Sequence, residues 1–235
     1  MRKIIITSIC LLFLTQNAFG LTPIGFPTAA LEEGKYELSF SYLHSEMDIE
    51  ASFYGLSDHL NTKVNGYLPQ LDIGLGDDWQ LSLGLGVADM DADGLNNANA
   101  FGGIGIKKTF ARQGDIDWGA SFQMYWSSFY DEVVLLPPSV SEIDISYHEI
   151  QFAVGPTYKK DNWCLYGGPF IHYLNGDMDV NDVSAGNISY DFEKDLGFGA
   201  FVGFSVNLTE NTNFGFEAQF IEDAQAIIFR FSYRF

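Results

Sequence analysis

The chain has 235 residues, with 31 Asp and Glu against 12 Lys and Arg, for a formal net charge of −19. That acidity disfavours nucleic acid and anionic lipid surfaces as partners. The apolar fraction of 47% is that of an ordinary soluble chain, and after residue 20 no run of apolar residues is long enough for a membrane-spanning helix.

The N-terminus reads as a leader. Arg2 and Lys3 precede an apolar run from Ile4 to Leu14, and Ala18-Phe19-Gly20 places small residues at the −3 and −1 positions. Cleavage is expected after Gly20, leaving residues 21–235 as one domain. Removal of Arg2 and Lys3 takes the net charge from −19 to −21, and removal of Cys10 leaves Cys164 alone, with no internal disulfide.

From residue 34 onward the sequence alternates with period two. Tyr36, Leu38, Phe40 and Tyr42 alternate with Glu37, Ser39 and Ser41; Leu71, Ile73 and Leu75 with Asp72 and Gly74; Trp79, Leu81, Leu83, Leu85 and Val87 with Gln80, Ser82 and glycines. The same pattern recurs at Ile104–Ile106, Trp118–Trp126, Ile150–Val154, Leu196–Val206, Phe214–Phe220 and Ile227–Phe235. Residues 163–173 are noisier, and Gly167-Gly168-Pro169 suggests a bulge. Ten strands of about 9–12 residues follow, the length that crosses a membrane when tilted. Eight or twelve strands, or a soluble sandwich, are the alternatives.

The connections separate a membrane barrel from a sandwich. Those at 76–78, 111–115, 159–162 and 208–211 are short and alternate with connections at 45–66, 89–100, 128–146, 174–187 and 222–226, most of them long. Tyr36, Trp79, Trp118, Trp163 and Phe214 open strands after short turns, while Tyr42, Tyr67, Trp126 and Tyr173 lie at the opposite strand ends. Two aromatic girdles are expected of a barrel in lipid, with both termini on the periplasmic side. The reading is an all-β, transmembrane, antiparallel up-and-down barrel in the bacterial outer membrane.

These features resemble the small porin-like outer-membrane barrels, such as the outer-membrane protein A-like and opacity-like proteins. The resemblance rests on the leader, the alternation across 34–235 and the ending Phe229-Arg230-Phe231-Ser232-Tyr233-Arg234-Phe235. It implies that Phe231, Tyr233 and Phe235 act as the signal read by the barrel-assembly machinery. It also implies outer-membrane lipid and lipopolysaccharide as surroundings, and no nucleic acid.

Parity places Lys35, Glu37, Asp72, Lys107, Asp117, Glu149, Glu217 and Arg230 in the lumen, where opposite charges must pair. Two readings follow: a narrow or gated polar path for small solutes, or a structural or surface-recognition barrel plugged by its own ion pairs. In the loops, Asp89, Asp91 and Asp93 have the spacing of half a calcium loop, but the twelfth position is Ala100 rather than Glu. Calcium or magnesium there is the only cofactor expectation. The enzyme class is disfavoured: no Gly-x-Ser-x-Gly or His-Glu-x-x-His occurs, and a rim hydrolase would have to use one of His44, His59, His148 and His172. His172, with Asp177 near it in sequence, is expected to point inward near the rim.

Overall fold

The structure, a computed structural model, describes residues 21–53, 56–91, 98–136, 139–182, 186–222 and 224–235. The described residues within 47–62, 90–98, 129–145 and 178–195 are described by their backbone alone. Ten strands form one closed antiparallel barrel in which each strand pairs with its sequence neighbours and β1 closes on β10. They are β1 (Tyr36–Phe53), β2 (Leu56–Gly76), β3 (Trp79–Asp91), β4 (Ala98–Gln113), β5 (Ile116–Leu136), β6 (Ser139–Lys160), β7 (Trp163–Asp182), β8 (Gly186–Asn207), β9 (Thr212–Ile221) and β10 (Ala224–Arg234).

Alternation in β5 shows why the sequence adopts this form. Asp117, Gly119, Ser121, Gln123, Tyr125 and Ser127 are buried, whereas Trp118, Phe122 and Trp126 between them are exposed. A soluble sandwich would bury the second set. Here large apolar side chains stay out all around the wall, Leu83 at 41% and Phe198 at 73% exposure, while Gln, Ser, Asp and Lys turn inward. An apolar belt of this extent needs lipid to cover it. Tyr36, Trp79, Trp118 and Phe214 are exposed near one end of the wall, and Tyr67 and Trp126 towards the other. Trp163, Tyr42 and Tyr173 are half-buried; Trp163 packs edge-on to Tyr158 at 5.6 Å between ring centroids, and Tyr42 lies 5.4 Å from Tyr67.

One end of the barrel carries tight turns. Asp77 and Asp78 both take positive φ, 46° and 65°, as a two-residue type I′ hairpin requires. Gly114, at φ 61°, supplies the first position of the 114–115 turn. Lys108 donates to the Asp77 carbonyl and Arg112 pairs with Asp78, so basic side chains cover this end.

Three expectations need correction. β1 to β8 run from 13 to 22 residues, longer than the membrane requires, while β9 and β10, at 10 and 11, have the expected length. The connections 45–66, 128–146 and 174–187 are largely ladder: β1 and β2 stay in register out to Phe53↔Leu56, and β7 and β8 out to Asp182↔Gly186. Polar hairpin ends continue pairing because their backbone groups still need partners in water. Finally, Gly167-Gly168-Pro169 is not a bulge. The β6–β7 ladder resumes in the same register, from Ala153↔Phe170 to Thr157↔Tyr166. The shift in β7 lies instead against β8, between His172 and Leu174.

Candidate functional site

The lumen is filled in two layers. Towards the hairpin end it is apolar, with Leu43, Leu68, Phe101, Tyr125, Phe170 and Phe201 buried inside. Inward aromatic rings lie over their ladder partners on the neighbouring strand, where glycine leaves room. A Cβ at Gly103 would meet Tyr125 at 2.1 Å, one at Gly203 would meet Tyr166 at 2.1 Å, and one at Gly199 would meet Phe170 at 2.5 Å. Tyr166 and Phe170 also explain the noisy alternation of β7: both are large, and both point in.

Towards the tight-turn end the lumen is polar and holds a segment of the chain itself. Residues 21–31, before β1, run inside the barrel; Leu21 and Thr28 are fully buried and Ile24 is 1% exposed. The segment carries two prolines and enters no ladder, and side chains of the wall bond many of its backbone groups. Nearest the tight turns, the Ala30 N–H donates to Gln80 Oε1 (3.0 Å), Thr109 Oγ1 donates to the Ala29 carbonyl (3.3 Å), and the hydroxyls of Thr28 and Thr157 share a hydrogen bond at 2.9 Å. Further in, Ile24 N–H and Gly25 N–H donate to the Glu217 carboxylate at 3.0 and 2.8 Å. Gln123 Nε2 donates to the Pro23 carbonyl and Gln219 Nε2 to that of Thr22. Thr22 N–H reaches Glu149 Oε1 at 3.3 Å. The wall is cut to fit: a Cβ on Gly119 would meet the Pro27 carbonyl at 2.6 Å, and one on Gly74 the Glu32 carbonyl at 2.0 Å.

The ionisable groups expected in the lumen fall into three clusters. Asp72, 2% exposed, accepts from Arg230 Nη2 (3.0 Å), Gln70 Nε2 (2.8 Å) and Ser82 Oγ; Arg230 also donates to Ser39 (2.8 Å), and Lys107 is buried nearby. At the tight-turn end Glu37 pairs with Arg234 (2.8 Å) and Asp117 with Lys159 (2.7 Å). Deeper lie Glu149 and Glu217, each 2% exposed. Glu149 accepts from Gln151 (2.6 Å) and His172 Nε2 (3.1 Å), and Glu217 from Gln219 (2.7 Å). Lys35 departs from expectation. It is exposed, because it precedes β1 at the mouth, where its backbone bonds to Gly74 and Glu32.

His172 is also displaced from its expected place. It points inward as expected, but deeper than the rim and fully buried against Glu149, since Gln151, facing His172 across the β6–β7 ladder, is two residues from Glu149 on the same inward face. Of the half calcium loop, Asp89 pairs in register with Asn65 and Ala98, Asp91 is described by its backbone alone, and Asp93 lies outside the described residues. Among the described residues no group of three His, Cys, Asp or Glu side chains could hold a metal ion. Phe231, Tyr233 and Phe235 are exposed on the outer face of the last strand and its end.

The segment in the lumen was missed from sequence. Its only mark is that 21–33 lacks the alternation that starts at residue 34, and carries Pro23, Gly25 and Pro27.

Two solved outer-membrane barrels superpose on this architecture. The outer-membrane protease OmpT of Escherichia coli superposes with a TM-score of 0.52 at 11% identity, covering 86% of this chain and 96% of that one. The translocator domain of the autotransporter NalP of Neisseria meningitidis gives 0.50 at 8% identity, covering 88% and 89%. Ail, the attachment invasion locus protein of Yersinia pestis, gives 0.39 at 15% identity, covering 86% and 99%. No curated protein matches by sequence. The family model of the outer membrane protein beta-barrel domain matches residues 68–235, and the chain belongs to that bacterial outer-membrane family.

Proposed function

We propose that this barrel is a gated polar path for small solutes, held shut by its own N-terminal segment. The observation that carries the reading is the burial of residues 21–31 within the polar half of the lumen. The segment is fastened by hydrogen bonds to Gln80, Gln123, Glu217 and Gln219, not by a ladder. A barrel that needs only to be filled can be filled by wall side chains. This wall instead places glycine at 74 and 119, where the segment passes. The mouth at the tight-turn end, where the segment enters, is taken as periplasmic, as is usual for the short turns of such barrels. Phe231, Tyr233 and Phe235 are taken as the assembly signal.

A second reading is a closed platform that presents its long hairpins at the cell surface. The apolar layer formed by Leu68, Phe101, Tyr125 and Phe170 favours it, because such a layer excludes water even without the segment. A rim hydrolase finds no support in His172, which is buried with Glu149.

Planar-bilayer recording decides between gate and platform. The full-length mature chain should be quiet, and a chain lacking residues 22–33 should show discrete conductance steps, favouring cations if the acidic hairpins form the outer mouth. If the truncated barrel folds and is equally quiet, the gating proposal fails and the platform remains.

A further inference from the structure

The deepest polar cluster of the lumen has an imbalance of charge. Glu149 and Glu217 are both 2% exposed; Glu217 accepts from Gly25, against which Arg230 and Lys107 pack, whereas Glu149 has no Lys or Arg within ion-pairing distance among the described residues. Glu149 has only His172, whose Nε2 lies 3.1 Å away. His172 Nδ1 is buried with no partner, and Gln219 Oε1 and Thr22 Oγ1 are also buried and unpartnered. A buried carboxylate without a cation is costly, and three orphaned atoms around the end of one segment are unusual for a native interior.

That end is the expected start of the mature chain. The Thr22 N–H reaches Glu149 at 3.3 Å, and the Leu21 Cα is one residue, about 3.8 Å, from that of Thr22. We propose that the lumen holds a binding site for the chain's own N-terminal ammonium: the α-ammonium of Leu21 docks on the Glu149–His172 pair and supplies its missing cation. The ammonium arises when a signal peptidase adds water across the Gly20–Leu21 peptide bond, leaving a carboxylate on Gly20 and an ammonium on Leu21. Before cleavage that nitrogen is an amide with one proton and no charge. Afterwards it has three donors for acceptors of the kind this cluster offers. The seated segment is thereby charge-matched to the lumen only in the mature chain. The inference rests on the segment being seated as described, and holds whether or not the barrel conducts.

Amine acylation tests it on the mature protein in detergent. N-terminal sequencing should give Leu21. In the folded barrel the α-amine should react with acetic anhydride at least about tenfold more slowly than in urea, because a nearby carboxylate holds it in the charged, non-nucleophilic form. Glu149→Gln should restore most of that reactivity, whereas Glu46→Gln, at a half-buried site on the outer parity of β1, should leave it unchanged. A second arm leaves the wall intact. Mature chain acetylated at Leu21 in urea and then refolded should become open to proteolysis within 22–33, while the unmodified chain stays protected. A different N-terminus, an α-amine acylated equally fast in folded and unfolded protein, or an acetylated segment as well protected as the free one would each overturn the proposal.

Discussion

Replacing Asp72 by Asn is the sharpest perturbation of the lumen. The carboxylate is 2% exposed and receives Arg230 Nη2 at 3.0 Å, Gln70 at 2.8 Å and the Ser82 hydroxyl, with Lys107 also buried close by. The amide keeps the shape and loses the charge, so Arg230 is left without its acidic partner in the barrel wall. Removing one partner of a buried ion pair costs about 3–5 kcal/mol, whereas replacing both by neutral groups costs much less. Asp72→Asn should therefore lower the unfolding free energy by about 3–5 kcal/mol, and Asp72→Asn with Arg230→Met should recover a large part of that loss, a coupling of about 0.5–3 kcal/mol. Urea unfolding in lipid vesicles, followed by tryptophan fluorescence and by the shift in gel mobility on heating, measures both. A single substitution costing under about 1 kcal/mol, or single effects that simply add, would refute the pairing as the source of stability.

Leu83→Arg, which puts a charge on the lipid face of β3 at a side chain 41% exposed, should cost about 2–4 kcal/mol in the same assay. Ser82→Ala, one residue away in the lumen, should cost about 1 kcal/mol through its lost hydrogen bond to Asp72; if Ser82 is the more sensitive site, the two faces are exchanged. Gly74→Ala, whose Cβ would lie 2.0 Å from the Glu32 carbonyl, should loosen the tether of the lumen segment, and in bilayers should raise open probability while the gel shift persists. Glu46 lies on β1 beyond the Tyr42–Tyr67 aromatic pair. Hydrogen bonds from Lys63 and then Gln225 hold its carboxyl below the ordinary value, so the contact stabilises above the unfolded pKa and fades as pH falls through the folded one. Carbon-detected titration should place Glu46 below exposed carboxylates, and Lys63→Ala should bring it back to their range.

Much of the wall was legible because period two is a local signal. Glu37, Asp72 and Asp117 are buried because each sits between outward apolar neighbours, and Lys107, Glu149 and Glu217 fall on the same inward parity of their strands. Pairing across strands was not legible, since register depends on the turns and on how far the ladders extend. That is why Glu149 and His172, 23 residues apart, come together without any motif to announce them. Strand length also exceeded expectation: polar residues in 45–66 read as loop, yet form ladder as readily as loop. Lys35 was misplaced because alternation was carried one residue past the start of β1. The lumen segment was hidden for a different reason. Residues 21–31 are shaped by what surrounds them, and two prolines with a glycine describe a chain free of ladders without saying where it runs.

The most direct measurement of the central claim is a cross-link. Thr28 in the segment and Thr157 in β6 bring their hydroxyls within 2.9 Å, so cysteines at both positions, with Cys164→Ser to remove the free thiol, stand close enough to join. In the folded barrel, mild oxidation should convert nearly all of the protein to an intramolecular disulfide between them, and neither thiol should take up a maleimide beforehand. A Thr28→Cys thiol that is labelled freely in the folded protein and fails to join Thr157→Cys would show that the segment does not occupy the lumen.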